Sequence, residues 1–499
     1  MSIHSNRKWP IITATVSVLI VIGLGIFFYH NFFRQTYGQL VETVPPNASF
    51  ILQINDNEAF VKTSNQSLPY LNELLFMDAF PGFESFMDKL PDGNSNEVII
   101  SCHQNDDRNV LLFSTKIKEG MFKQLLKILR IDERNYVPFE NVKIYSYGTH
   151  YKKFNFAFYN NFFSVTEDIE LLKKSIVQLK HPRNLLSNKE FSSLHKNIIL
   201  KNEKQNWLIL NHKFYFEGNN QFLSKPYQDL MNRLGEVSEW SAYQIRFKDK
   251  EIHLAGYALN NSPFFQKFQG QPASAGIPTQ IIPANATFYT AFRTPNPEQY
   301  AEQFTSIANG RHADAVEYYK LLAPTSSYLF HLYQDSLNYC YLALQLDSAS
   351  QTINSILPDS LDTESRTTHK QSTIYKVKSG NFNAMLSALH KQVKMDYMVE
   401  YQGCYIFSDT ITSLQYYLNR ISEGNLNNQP LYRFAKANIP TLNNYEFCML
   451  VPDNKIMQRF SEKRKKNKES IVNDLQIFTY TFSAPERDFV PVNVYLKMK

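Results

Sequence analysis

The phrase VPPNASFILQI (44–54) returns almost unchanged as IPANATFYTAF (282–292), and this echo limits the possible folds more than any other feature of the chain. Further matches follow in the same order. YNNFFSVTEDIELLKKSIVQL (159–179) is answered by YQGCYIFSDTITSLQYYLNRI (401–421), and NKEFSSLHKNI (188–198) by QPLYRFAKANI (429–439). NWLILNHKFYF (206–216) is answered by NYEFCMLVPDN (444–454), and the hairpin-like 239–259 by 475–496. Ordered matches at one long spacing indicate duplication of a whole domain, unlike the short units of a solenoid. Pro45 and Pro283 end any preceding helix, Asn47 and Asn285 suit a turn, and Ser49 and Thr287 begin a strand. The phrase therefore launches the first strand of each copy. Its match to the N-x-[ST] pattern at Asn47 and Asn285, like that at Asn65, is treated as coincidental.

Within a copy the pattern is mixed. Strand SFILQI precedes a helical stretch, QSLPYLNELLFMDAFPGFESFMDKL, and EVIISCH with NVLLFSTKI reads as a hairpin about QNDDR. Helix MFKQLLKILRI, strands VKIYSY, FNFAFYN and FFSVTE, and helix IELLKKSIVQL follow. Strands gathered as meanders and punctuated by helices predict α+β domains with a mainly antiparallel sheet and packed helices. The period of two in FNFAFY puts Phe154, Phe156 and Phe158 on one face, as core residues, with an exposed aromatic platform for a ligand as the alternative. The expected organisation is a tail (1–10), a membrane-spanning segment (11–33), a first repeat (44–260), a linker (261–280) and a second repeat (281–499). The linker assignment rests on Pro, Gly, Ser and Gln in SPFFQKFQGQPASAGIP.

Residues 11–28, IITATVSVLIVIGLGIFF, carry no charge. At about 1.5 Å per residue they reach roughly 27 Å, close to a bilayer's hydrocarbon thickness. The stretch is longer than a signal-peptide core and no small-residue cleavage site follows, so it reads as an uncleaved signal anchor. Trp9 and Tyr29 suit the two interfaces. Arg7 and Lys8 precede the span while Arg34 alone follows closely, which favours a cytoplasmic N-terminus. The expected location is the inner membrane, single-pass, with the remainder in the periplasm.

A short tail, one anchor, a "VPxNA(S/T)" strand entry and large α+β repeats resemble a family of uncharacterised single-pass envelope proteins bearing a domain of unknown function, of Bacteroidota-like bacteria. The resemblance spans nearly the whole exterior portion. It implies no catalytic residues.

The search for chemistry gives an expectation of no catalytic, cofactor-binding or metal site. HExxH, GxxxxGK[ST], GxGxxG, GxSxG and SxxK are all absent, and only 16 glycines are present to cradle phosphates. His103 with Asp106 and Asp107 (HQNDD) reads as a solvated hairpin tip, and PDGNSNE (91–97) as a turn. Cys102, Cys340, Cys404 and Cys448 form no CxxC and read as buried thiols, with a Cys404–Cys448 bridge left open. A net charge of +6 spread over 499 residues argues against nucleic acid as partner. The basic run Lys463, Arg464, Lys465, Lys466 and Lys468 reads as a solvated helix end, with contact to an anionic surface as the alternative.

The expected role is thus a membrane-anchored, non-catalytic envelope protein that binds or scaffolds an envelope partner, without cofactor or metal. The alternatives are a carrier or chaperone for an apolar ligand, such as lipid or unfolded protein, and an enzyme without local motifs.

Overall fold

The structure, a computed structural model, describes residues 38–55, 60, 97–105, 108–148, 153–181, 184–202, 204–215, 235–275, 279–296, 298–300, 302, 324–334, 337–346, 361–378, 395–451 and 475–499. After a 3-10 turn at Leu40–Thr43, strand β1 (Ala48–Ile54) begins directly behind the Pro-Pro-Asn phrase. The chain divides into two compact units, built mainly on residues 76–192 and 193–499.

The first unit contains β2 (Val98–Asn105), β3 (Arg108–Lys116), helix α1 (Glu119–Ile128), β4 (Val137–Phe139), β5 (Val142–Gly148), β6 (Lys153–Tyr159), β7 (Phe162–Thr166) and helix α2 (Ile169–Lys180). A short helix, α3 (Lys189–Leu194), comes next. The strands are antiparallel in the order β4-β5-β6-β7-β3-β2. The period of two decides which residues meet which helix. Phe154 and Phe156 are fully buried, and Phe156 and Phe158 meet Phe122 of α1, with Phe158 stacked on it at 5.0 Å. On the other face Val110, Leu112, Ile144 and Ala157 pack against Leu171, Leu172 and Ile176 of α2. Asp168 caps α2 by accepting from Glu170 N at 2.8 Å and Leu171 N at 3.2 Å.

The second unit begins with β8 (Trp207–Asn211), β9 (Trp240–Lys248) and β10 (Glu251–Leu259). Helix α4 (Pro263–Gln266), β11 (Ser274–Ala275), β12 (Ala286–Arg293), β13 (Pro324–Gln334), β14 (Leu337–Leu346), β15 (Leu361–His369), β16 (Ser372–Val377), β17 (Tyr397–Tyr401) and β18 (Cys404–Ser408) follow. The last elements are α5 (Ile411–Glu423), α6 (Pro430–Asn438), β19 (Leu442–Asn443), β20 (Tyr445–Leu450), β21 (Leu475–Phe482) and β22 (Phe489–Met498). One antiparallel sheet runs β15-β16-β17-β18-β14-β13-β12-β20-β21-β22-β10-β9-β8. The leading strands of this order repeat the meander of the first unit, strand for strand.

This sheet corrects the expected fold class of two tandem domains, each around a sheet of its own. β8, β9 and β10 belong in sequence to the first repeat, yet they continue the sheet of the second through a ladder from Glu251↔Lys497 to Leu259↔Phe489. The cause is edge pairing. Each terminal hairpin leaves a row of unpaired amides and carbonyls, and joining the two equivalent strands satisfies both rows. The core follows the same seam, for Tyr243 and Ala258 share one cluster with Phe447, Phe482 and Val492. Residues 261–280, expected as a linker, contribute to it as well. Phe265 and Phe268 are fully buried, and with Phe264 they surround the Phe482 ring at 5.0 to 5.6 Å.

The expected membrane-spanning architecture is corrected too: among the described residues no helix is long and apolar enough to cross a membrane. The expected span 11–33 and tail 1–10 lie outside the described residues. So do the helical stretch 66–90, residues 91–96 of the PDGNSNE turn, Asp106, Asp107 and the basic run 463–468.

Two-residue hairpin turns set the registers. Asn160–Asn161 and Gln402–Gly403 both have positive φ at each residue, the geometry that matches the twist of the flanking strands. They occupy equivalent places in the two repeats, which explains why YNNFF and YQGCY correspond. At Gly256 the constraint is proximity: a Cβ there would lie 1.9 Å from the Ala242 carbonyl oxygen and 2.9 Å from Tyr243 Cα. Gly256→Ala is expected to cost about 1–3 kcal/mol. A lower urea midpoint in the fluorescence of Trp207 and Trp240, both buried in this unit, would register it.

Candidate functional site

The strand register of the second unit places a polar field on one sheet face. Directly paired residues share a face, so Thr479, Tyr495, His253 and Arg246 form one row across β21, β22, β10 and β9. Thr481, Asn493, Ala255 and Gln244 form the next, and Lys497, Glu251 and Lys248 flank the first on its other side. The opposite face of the same strands is apolar, with Tyr480, Phe482, Val492, Val494, Ile252 and Leu254 in or against the core.

Part of the polar face is covered. Tyr417, Leu418 and Ile421 of α5, with Tyr432 and Ala435 of α6, pack over Tyr289, Cys448, Ile477 and Tyr495. Beyond Tyr495 this cover ends and a half-open trough of about 450 Å³ begins, floored by the two polar rows and walled by Asn438 and Pro440. Thr481 and Tyr495 are 1% and 2% exposed; the Thr481 hydroxyl has no hydrogen-bond partner among the described residues, whereas the Tyr495 hydroxyl faces the Glu251 carboxylate.

The charges are arranged asymmetrically. Glu251 accepts from Lys497 at 2.9 Å and lies 3.2 Å from His253 Nε2. Burial pushes its carboxyl up, but the hydrogen bonds from Lys497 and His253 outweigh burial, and the group titrates below its ordinary value. Burial and the Glu251 charge together raise the Tyr495 phenol, which keeps its proton. The Lys497 ammonium also sits 4.8 Å over the ring of Phe434, an exposed residue of α6. Arg246 and Lys248, both exposed, form no ion pair among the described residues.

The row containing Thr481 ends under α6 in a buried ion pair. Arg293 Nη2 lies 3.1 Å from Glu446 Oε2, each side chain being 3% exposed. Tyr289 donates its hydroxyl to Glu446 Oε1, and Arg293 Nη1 donates to the Asn443 side chain. These bonds anchor the covered end of the polar field.

Residues singled out in the sequence lie elsewhere. His103 is not at a solvated tip: it is a buried residue of β2, with Nδ1 3.1 Å from Asn47 Oδ1 and Nε2 2.9 Å from Ser101 Oγ. Burial, helped by the Lys174 charge, lowers its imidazole to about 3, so the ring is neutral, donating to Asn47 and accepting from Ser101. Asn47 thus holds a buried histidine as well as starting a strand, whereas Asn285 donates to the Tyr416 hydroxyl at 3.3 Å. None of the four cysteines forms a disulfide, so the Cys404–Cys448 bridge is not formed. Burial pushes Cys404 up to about 11 and Cys448 well above its ordinary value. Of the three buried thiols none is expected to react with a thiol-specific reagent in the native chain, while half-buried Cys340, 3.4 Å from His331 Nε2, is expected to react first. Peptide mapping of the labelled chain reads this order. Among the described residues no group of three or more His, Cys, Asp or Glu could hold a metal ion.

Sequence reasoning missed every residue of the trough. Thr479, Thr481, Asn493 and Tyr495 alternate with apolar residues, as any solvated strand face does.

No protein-family model and no curated protein matches the chain. Two crystal forms of TP0453, forms III and I, are similar to it at TM-scores of 0.25 and 0.23, with 10% and 9% identity, covering 78% of this chain and 99% of theirs. A likeness that weak assigns neither a fold nor a function.

Proposed function

We propose that the chain is a non-catalytic binding module that seats a small ligand in the trough floored by β9, β10, β21 and β22. The supporting observation is the buried Thr481 hydroxyl, left without a partner among the described residues and lining the trough. An unsatisfied buried polar group costs about 1–3 kcal/mol, and native proteins keep few of them. A ligand that bonds the Thr481 hydroxyl recovers that cost. The opening, at about 450 Å³, has the size of a small-molecule site. The neighbouring carboxylate, Glu251, is held by Lys497 and His253 and is poorly placed to act as a free base. This reading narrows the expected scaffold for an envelope partner to a module with a defined ligand pocket.

Native mass spectrometry of the purified full chain tests it. The wild type is expected to carry a non-covalent adduct that Ala255→Trp, which fills the floor at an exposed position, does not hold. An adduct retained by Ala255→Trp, or no adduct and no thermal stabilisation of the wild type by any small-molecule pool, would contradict the proposal.

A further inference from the structure

We infer that the trough selects ligands bearing an oxyanion, carboxylate or phosphate. The inference rests on the reading of the trough as a ligand site and adds the chemistry of what it takes. Charge comes first. Arg246 and Lys248 from β9 and His253 from β10 line the trough, and Glu251 of β10 with Lys497 of β22 stand in the adjoining row. Glu251 and Lys497 neutralise each other at 2.9 Å, leaving Arg246 and Lys248 without an ion pair among the described residues. These two cations lie two residues apart on one strand face, about 7 Å along the backbone, a spacing that lets both reach one anionic group. α6 and the turn after it add only Asn438 and Pro440 to the lining, so no acidic side chain opposes them from that wall.

The second observation is independent of charge. Thr481 offers a hydroxyl hydrogen from nearly complete burial, and it is without a partner among the described residues. Tyr495 keeps its proton, because burial, the Glu251 charge and the hydrogen bond to Glu251 raise it, and that proton is directed at the Glu251 carboxylate. An oxyanion accepts several hydrogen bonds at once and takes the forked donation of a guanidinium. A neutral polyol would satisfy the Thr481 hydroxyl as well but would leave Arg246 and Lys248 without a counter-charge. The two observations together favour a ligand with an oxyanion group.

The full chain is titrated calorimetrically with inorganic phosphate, sodium acetate, glucose as the neutral control, and phosphatidylglycerol vesicles. Phosphate or acetate is expected to bind, more weakly as salt rises, since half-exposed charges are screened. Arg246→Gln/Lys248→Gln, both at exposed positions, is expected to weaken binding about tenfold or more. Thr481→Val is expected to weaken it several-fold. Binding of vesicles without binding of free phosphate or acetate supports the inference with a lipid headgroup as the source of the oxyanion, and binding of the free anions points to a soluble ligand. The inference is overturned if the double variant binds as tightly as the wild type, or if glucose binds and the anions and vesicles do not. It is also overturned if none of the probes binds. In either of the last two cases an adduct seen by native mass spectrometry would leave the small-ligand reading standing.

Discussion

Replacing Glu446 by alanine is expected to lower the unfolding free energy of the second unit by about 3–5 kcal/mol. The size of the effect comes from what remains. Arg293, with a side chain 3% exposed, loses the carboxylate 3.1 Å away, and the Asn443 oxygens that accept from it carry no charge to replace it. Tyr289 at the same time loses the acceptor of its hydroxyl. Attraction inside the pair barely offsets the cost of drying both ions, so the pair as such contributes little, and breaking it is what costs. The double variant Arg293→Met/Glu446→Leu is therefore expected to recover most of the loss. Urea unfolding followed by the fluorescence of Trp207 and Trp240 reports on this unit. A loss below about 1 kcal/mol in the single variant would mean that water reaches Arg293.

Acidification is expected to weaken the first unit by somewhat over 1 kcal/mol per pH unit from about pH 6.5 towards pH 3, and by about 4 kcal/mol in all. The cause is His103, whose imidazole is lowered to about 3 in the folded chain. In the unfolded chain the ring takes a proton near its ordinary value of 6.5, so between the two values the unfolded state binds more protons and is favoured. Above about pH 6.5 both states are neutral and the contribution is flat. His195, lowered to about 4 by burial, adds a window of the same sign between 6.5 and 4 in the second unit. Hydrogen exchange of the β2 and β3 amides across this range measures the first effect. His103→Gln removes the titrating group, so a slope unchanged in that variant would refute the assignment, whatever its absolute stability.

Much of the local structure was legible because its causes are local. The alternation in FNFAFY placed Phe154 and Phe156 in the core, and the Thr-Glu-Asp and Asp-Thr turns announced the capped helices α2 and α5. The repeat showed in sequence because Asn160–Asn161 and Gln402–Gly403 must make the same turn. What could not be read is which strands pair at the seam. β10 and β22 each end a hairpin, and nothing in either says that its free edge meets the other. Residues 261–280 misled for a related reason: their Pro, Gly and Ser suggested a spacer, while Phe264, Phe265 and Phe268 proved decisive once an apolar face lay beside them. The trough was hidden more deeply. Its floor joins residues more than two hundred positions apart, and an orphaned hydroxyl has no signature in one dimension.

The pairing of β10 with β22 also sets a timetable for biosynthesis. Glu251 and Lys497, which meet across this ladder, are 246 residues apart. At about 5–20 residues per second on the ribosome, β10 waits on the order of ten to fifty seconds for its partner. Throughout that interval its edge is open to any other extended chain, and the alternatives include β10 or β22 of a neighbouring nascent copy. The same seam that unites the two repeats in the finished protein is thus the place where a crowded or slowed synthesis would go wrong first. A chaperone that shields one bare strand edge would be enough to protect it.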